Sequence, residues 1–475
     1  MSLLVFVAIA SSCSGGRATA EGEIGADSAS NTTDSLPGET TQSSSDAAGA
    51  DTDATASTGV VTTGEDDVDG ALPAADSSPD PASVTTPGAA IAAASGFEDF
   101  FGLRVGLVAN RASVVGDRSV IDLLAETDGV ELAAIFAPEH GLRADAGAGE
   151  IVADGIDPVT GLVVHSLYGE VRQPTPAMLD GLDVLVFDLQ DVGARFYTYT
   201  ATMGLAMQAA AAADLPFVVF DRPNPLGAGP AGSSRAPEAT SFVSQYPTPS
   251  LHGLTAGELA LAIEGEGWLD GLEGLDLRVV PLAGWDRTSP WSATGLAWVP
   301  PSPGLPTEAA ALAYPATVLF EATTLSYGRG TEYPFQQIGA PWLDGPALAA
   351  ELSSRGLPGA RFEPVDFTPV AGPAAADPQY EGQPVSGVRL VVEDPAVVDQ
   401  PAVGVHLLDA VLAQAAAVPG GQVEVIDRPA FLDLLTGSDR VRLQLVAGRP
   451  AADIVAGWAE ELADFDRLVE PYRLY

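Results

Sequence analysis

Five short apolar runs, each ending in a cluster of polar residues, constrain this chain more than any other feature. They cover residues 103–110 (LRVGLVAN), 132–137 (LAAIFA), 163–167, 183–189 (DVLVFDL) and 216–220 (PFVVF). Uninterrupted runs of this length, rich in Val, Leu, Ile and Phe, read as strands buried on both faces. Segments with helical spacing, 119–126 and 200–213 among them, separate several of these runs. Strand, helix, strand at this spacing predicts an α/β fold, a parallel sheet with helices on both faces. Ligands of such sheets bind beyond the carboxyl ends of the strands. The polar residues gather there: Asn110 and Arg111, Glu139 and His140, residues 188–195, and Asp221 to Asn224.

The turn after the first run, Asn110-Arg111-Ala112-Ser113, has no glycine fingerprint for a dinucleotide. A formal G-x-G-x-x-G at Gly227, Gly229 and Gly232 is interrupted by Pro230, and no helical pattern follows. It reads as a loop, and no cofactor is expected. Residues 275–282 (LDLRVVPL) predict one more strand of the sheet. A Trp/Pro-rich passage, 285–306, then leads into a second part with segments 388–392, 403–417, 428–435 and 451–468, the last three helical. The expected organisation is a sheet domain over 96–295 and a smaller α+β domain over 296–475.

Charge narrows the chemistry. Of 475 residues, 64 are acidic and 21 basic, a formal net charge of −43, and every basic residue is arginine. Without lysine there is no Schiff base, no phosphate-loop lysine and no Ser-x-x-Lys nucleophile. Such acidity excludes nucleic acid as a partner, because phosphate binding needs a basic patch. A single cysteine removes intramolecular disulfides and cysteine zinc sites, and four histidines make a metal cluster unexpected. Residues 14–95 carry 14 acids, one arginine and no aromatic until Phe97, which predicts a disordered acidic linker. Residues 3–10 (LLVFVAIA) are too short an apolar run to span a bilayer and read as a signal peptide over 1–13. Ser11, Ser12 and Cys13 resemble a lipoprotein processing site. The expectation is an exported protein, held at a membrane only through a lipid on Cys13.

Glu139 follows a buried strand within Pro138-Glu139-His140-Gly141. Burial there raises a glutamate's pKa, which suits a general acid, and His140 is its natural modulator. Asp188 and Asp191, with Arg195 and Tyr197, lie in the run DLQDVGARFYTY; the carboxylates either bond sugar hydroxyls or pair with the arginine. Arg222 and Asn224 lie in a loop fixed by Pro223 and Pro225. His252 precedes Thr255 and Glu258, which read as a capping box. Arg329 lies between two glycines, and its guanidinium suits a carboxylate. Tyr327, Tyr333 and Trp342 are nearby aromatics that suit stacking on a sugar.

Seven motifs in order are similar to those of one family: PEHG (138–141), SLYG (166–169), DLQDVGARFYTY (188–199), DRPNPLG (221–227), HGLTAGELA (252–260), PPSPGLP (300–306) and GRGTEYPFQQIGAPW (328–342). Across residues 97–475 the chain resembles the exo-β-N-acetylmuramidases of glycoside hydrolase family 171. The resemblance implies a Rossmann-like domain, a smaller second domain and an active site in the cleft between them. It implies release of N-acetylmuramic acid from the non-reducing end of peptidoglycan fragments, so that muramic-acid saccharides are the partners, with Glu139 as the catalytic glutamate. Asn110, Arg195, Tyr197, Arg222, Asn224, His252, Glu321 and Arg329 are the expected substrate contacts; Asp188 and Asp191 join Glu139 and His140 as catalytic candidates. The chain departs from the family pattern at Leu251, Gly304, Ala322, Thr324 and Tyr327. Two other readings are a cell-wall-binding lipoprotein without turnover and a metal-assisted hydrolase using Glu139, His140 and Asp188.

Overall fold

A computed structural model describes residues 84–475 except 144, 145, 148, 228, 373, 421 and 422. The leader, Cys13 and linker residues 14–83 lie outside the described residues. The strands are β1 (Arg104–Ala109), β2 (Val114–Val115), β3 (Arg118–Ser119), β4 (Glu131–Ala137), β5 (Gly155–Ile156), β6 (Val163–Ser166), β7 (Val184–Asp188), β8 (Phe217–Phe220), β9 (Leu277–Val280), β10 (Gln337–Ala340), β11 (Ala360–Phe367) and β12 (Val385–Val392). Seven form one sheet in the order β5-β6-β4-β1-β7-β8-β9, parallel throughout except for β5 against β6. The run at 275–282 supplies β9 at its edge.

Alternation along the central strands sends side chains to two cores. Val184 and Val186 of β7, with Val218 and Phe220 of β8, face one; Leu185, Phe187, Phe217 and Val219 face the other. That is the reason these runs are apolar at every position. A second sheet, β10-β12-β11, is antiparallel and packs with helices Glu308–Thr317, Gly345–Ser354 and Gln400–Ala417. The core of the second part is continuous with one face of the large sheet.

Two expectations need correction. Residues 84–95, assigned to the linker, are folded: Thr86 pairs with Ala283, and helix Gly88–Ala94 buries Ala89 and Ala92 against the sheet. Its alanines resemble linker composition, yet Ala packs closely at little entropic cost. A β-carbon at Gly88 would lie 2.2 Å from the Val280 carbonyl oxygen, so only glycine permits this approach. The segment 451–468 is two helices, Ala451–Ala456 and Ala459–Val469, parted by Gly457 and the buried Trp458.

Candidate active site

Strand β4 ends at Ala137 and the chain turns at once. Gly141 N–H bonds the Pro138 carbonyl oxygen at 3.0 Å, and His140 (φ +71°) and Gly141 (φ +76°) both adopt the left-handed conformation. A non-glycine residue there is uncommon, and such strain gathers at functional sites. The turn leaves Glu139 buried, with both carboxylate oxygens bonded. Gly149 N–H donates to Oε1 (2.8 Å) and the Thr198 hydroxyl to Oε2 (2.5 Å). The Tyr168 phenol lies close to the carboxylate; burial, reinforced by the charge of Glu139, pushes it up to about 12. Arg172 lies over the rings of Tyr168 (4.5 Å) and Phe242 (4.2 Å). Beside Glu139, His140 is held through Nδ1 to the Ala146 carbonyl oxygen (2.8 Å). Burial pushes its imidazole pKa down, against the raising influence of Glu139, so it favours the neutral form.

A chain of aromatic rings links this point to the second part of the molecule. Tyr199 meets Tyr197 (4.7 Å between centroids), Tyr197 meets Tyr314 (6.2 Å), Tyr314 meets Phe335 (4.8 Å) and Phe335 meets Tyr327 (5.4 Å). At its far end Glu321, in the 3-10 turn Val318–Ala322, lies within electrostatic reach of Glu139, Arg329 and Arg428. Burial pushes the Glu321 carboxyl up to about 7, against the pull of the two arginines. Arg428 bonds the main-chain oxygen of Glu321 (3.0 Å), but among the described residues no donor is bonded to its carboxylate. Arg329 donates to the Ala374 carbonyl oxygen (2.8 Å), and its buried Nε has no partner among the described residues. The structure thus brings Glu139, His140, Glu321 and Arg329 together, with Tyr314 sensing both carboxylates.

Other expected residues have structural partners. Asp188 is paired not with Arg195 but with Arg222, through Nε–Oδ1 (2.6 Å) and Nη2–Oδ2 (2.9 Å), and the pair is almost wholly buried. Arg195 donates to the carbonyl oxygens of Ser233, Thr248 and Leu435, a structural tie across the two parts; burial pushes it down to about 9. Asn110 holds Tyr199, Pro301 and Ala112, and Asn224 holds Leu254 and Leu226. These hydrogen bonds fix the loops that carry the side chains, and Asn110 reaches the neighbourhood of Glu139 through Tyr199.

Asp191 and His252 form a separate buried couple. Leu254 N–H donates to His252 Nδ1 (3.2 Å), so the neutral ring carries its proton on Nε2, 3.6 Å from Asp191 Oδ2. Asp191 Oδ1 and the Tyr197 hydroxyl are buried without a hydrogen-bond partner among the described residues. Thr255 and Glu258 make the expected capping box. A cavity of about 420 Å³ near Gln173, Leu179, Asp180 and Leu215 offers one carboxylate and no acid–base pair.

Sequence reasoning omitted Tyr168, Thr198, Tyr199 and Tyr314 from the site. Tyr168 lies inside SLYG, and Thr198 and Tyr199 inside DLQDVGARFYTY. Tyr314 stands in the Ala-rich helix Glu308–Thr317, whose composition gives no sign of a site.

Two family models match in tandem: exo-β-N-acetylmuramidase NamZ, N-terminal, over residues 105–309, and its C-terminal counterpart over 312–475. A curated peptidoglycan β-N-acetylmuramidase NamZ of Bacillus subtilis (strain 168) is 39% identical over 376 residues, 79% of this chain and 87% of that protein. Crystal structures of two DUF1343 family proteins of Bacteroides fragilis NCTC 9343 are similar in fold. One has a TM-score of 0.75 at 35% identity, the other 0.68 at 32%; each comparison covers 82% of this chain and 99% of the other. With both models matched end to end and the PEHG glutamate seated where the two parts meet, this chain belongs to the exo-β-N-acetylmuramidase NamZ family.

Proposed function

We propose that the protein is an exo-acting glycosidase that releases N-acetylmuramic acid from the non-reducing end of peptidoglycan fragments. The observation that carries this reading is Glu139, a buried carboxylate held by two donors and within electrostatic reach of a second carboxyl group, Glu321. Two carboxyl groups flanking one bond are the usual equipment for glycoside hydrolysis. Of the rings nearby, Tyr327 is only half-buried and suits the apolar face of a sugar. Arg329, with Nε unpaired, is the group we assign to the lactyl carboxylate that distinguishes muramic acid from glucosamine. Replacing it with alanine should slow muramides far more than the matching glucosaminides; equal slowing of both contradicts that role.

The direct test is mass spectrometry of digests of fragments capped by muramic acid or by glucosamine. The expected result is loss of one terminal muramic acid residue from the first set and none from the second. Internal cleavage, or binding without release, contradicts the proposal. We also propose export, with Cys13 as the lipidated first residue of the mature protein. Cys13→Ala should then leave the membrane fraction; unchanged fractionation removes that role.

A further inference from the structure

We infer that Glu321 is the second catalytic carboxylate and delivers the proton to the departing glycosidic oxygen, while Glu139 works as the ionised partner. This rests on the functional reading above and assigns the roles within it. Glu139 was the expected general acid, because it follows a buried strand. Its hydrogen bonds argue otherwise. A main-chain N–H can only donate, and Gly149 N–H occupies Oε1, while the Thr198 hydroxyl is bonded to Oε2. An ionised carboxylate, acceptor at every position, satisfies both donors at once. A bonded partner on each oxygen favours the ionised form over a proton donor.

Glu321 is the converse. It is partly buried, and among the described residues no donor engages its carboxylate. The groups around it are Arg329, Arg428, Tyr314, Tyr327 and Glu139 itself. Removal from water favours its neutral form, and the charge on Glu139 adds to this. The resulting value of about 7 lies where proton transfer near neutral pH is efficient. Arg329 and Arg428 limit the rise, so the group releases its proton readily when the bond breaks.

The step balances without any further reagent. The proton moves from Glu321 to the glycosidic oxygen as the bond from C1 breaks, and the bonding pair leaves on that oxygen. The Glu139 carboxylate faces the positive charge that develops at C1. Water then adds its oxygen to C1 and returns its proton to the carboxylate pair.

Leaving-group dependence separates the two carboxylates, since a nitrophenolate departs with little protonation and a sugar does not. The experiment compares wild type, Glu321→Gln and Glu139→Gln on a muramic acid–glucosamine disaccharide and on a 2,4-dinitrophenyl muramide. Glu321→Gln should lose roughly 10²–10⁴-fold on the disaccharide, stay within about tenfold of wild type on the aryl substrate, and lose the basic limb of its pH profile. Glu139→Gln should be slow on both. Circular dichroism checks each fold, and Glu321→Asp should restore part of the disaccharide activity. Equal loss on both substrates, or a wild-type rate on the disaccharide, for folded Glu321→Gln overturns the inference while leaving the functional reading intact. Wild-type inactivity on every muramide overturns both.

Discussion

Asp188 and Arg222 sit at the ends of neighbouring parallel strands and hold each other by two hydrogen bonds away from water. Removing one partner strands a buried charge, so Asp188→Ala should destabilise the fold by about 3–5 kcal/mol. Urea unfolding checks this; a loss below about 1 kcal/mol contradicts the pairing. The case also shows what residues in a row conceal. A strand end rich in Asp, Arg and Asn was visible in the sequence, but which carboxylate meets which guanidinium is decided across the sheet. Arg195, next along the chain, bonds carbonyls instead, while Arg222 arrives on the adjacent strand. Glu139 and Glu321, 182 positions apart by their numbers, come within electrostatic reach of each other only through the fold.

Helix Ala256–Gly265 starts at Thr255, which accepts a hydrogen bond from Glu258 N–H and donates its hydroxyl to Asp221 (2.7 Å). One side chain thereby caps a helix and satisfies a buried acid at the end of β8. Thr255→Ala should lose about 1–2 kcal/mol, read as a lower Tm, and Thr255→Ser should retain most of it. An unchanged Tm for the alanine variant contradicts the double role. At this scale the sequence was most legible where burial is two-sided, since β1, β4, β7 and β8 are apolar apart from Arg104, Glu131 and Asp188 at strand ends. It was least legible where small residues pack closely. Helix Gly88–Ala94 has the composition of a linker, and Gly457 breaks a helical pattern that otherwise continues. The Tyr197, Tyr199, Tyr314 and Phe335 rings come from two parts of the chain, so their convergence had no local signature.

The whole molecule carries a formal charge of −43, and two of its carboxyls add a specific dependence on pH. Burial pushes Asp221 up to about 6 and Glu321 up to about 7. Both lie above the ordinary range of an unfolded chain, so between about pH 4 and 7 each binds more proton in the folded state than in the unfolded one, while His140 and His406, lowered by burial, oppose them below the ordinary histidine value. The contribution of the two carboxyls to stability is therefore fully present at the acidic end and is lost as pH rises through 6 and 7. Self-repulsion among the ionised acids acts in the same direction. Calorimetry should find Tm falling from pH 5 to pH 8, with part of the loss recovered in added salt through screening. A Tm that rises over that interval contradicts this account. The chemistry proposed for the molecule needs two carboxyl groups, and Glu139 is the one in the PEHG motif. The most direct measurement is proton NMR of a muramic acid–glucosamine disaccharide incubated with wild type and with Glu139→Gln of matched circular dichroism. The account predicts free N-acetylmuramic acid from the wild type and at least about a hundredfold less from the variant; equal release by the two contradicts it.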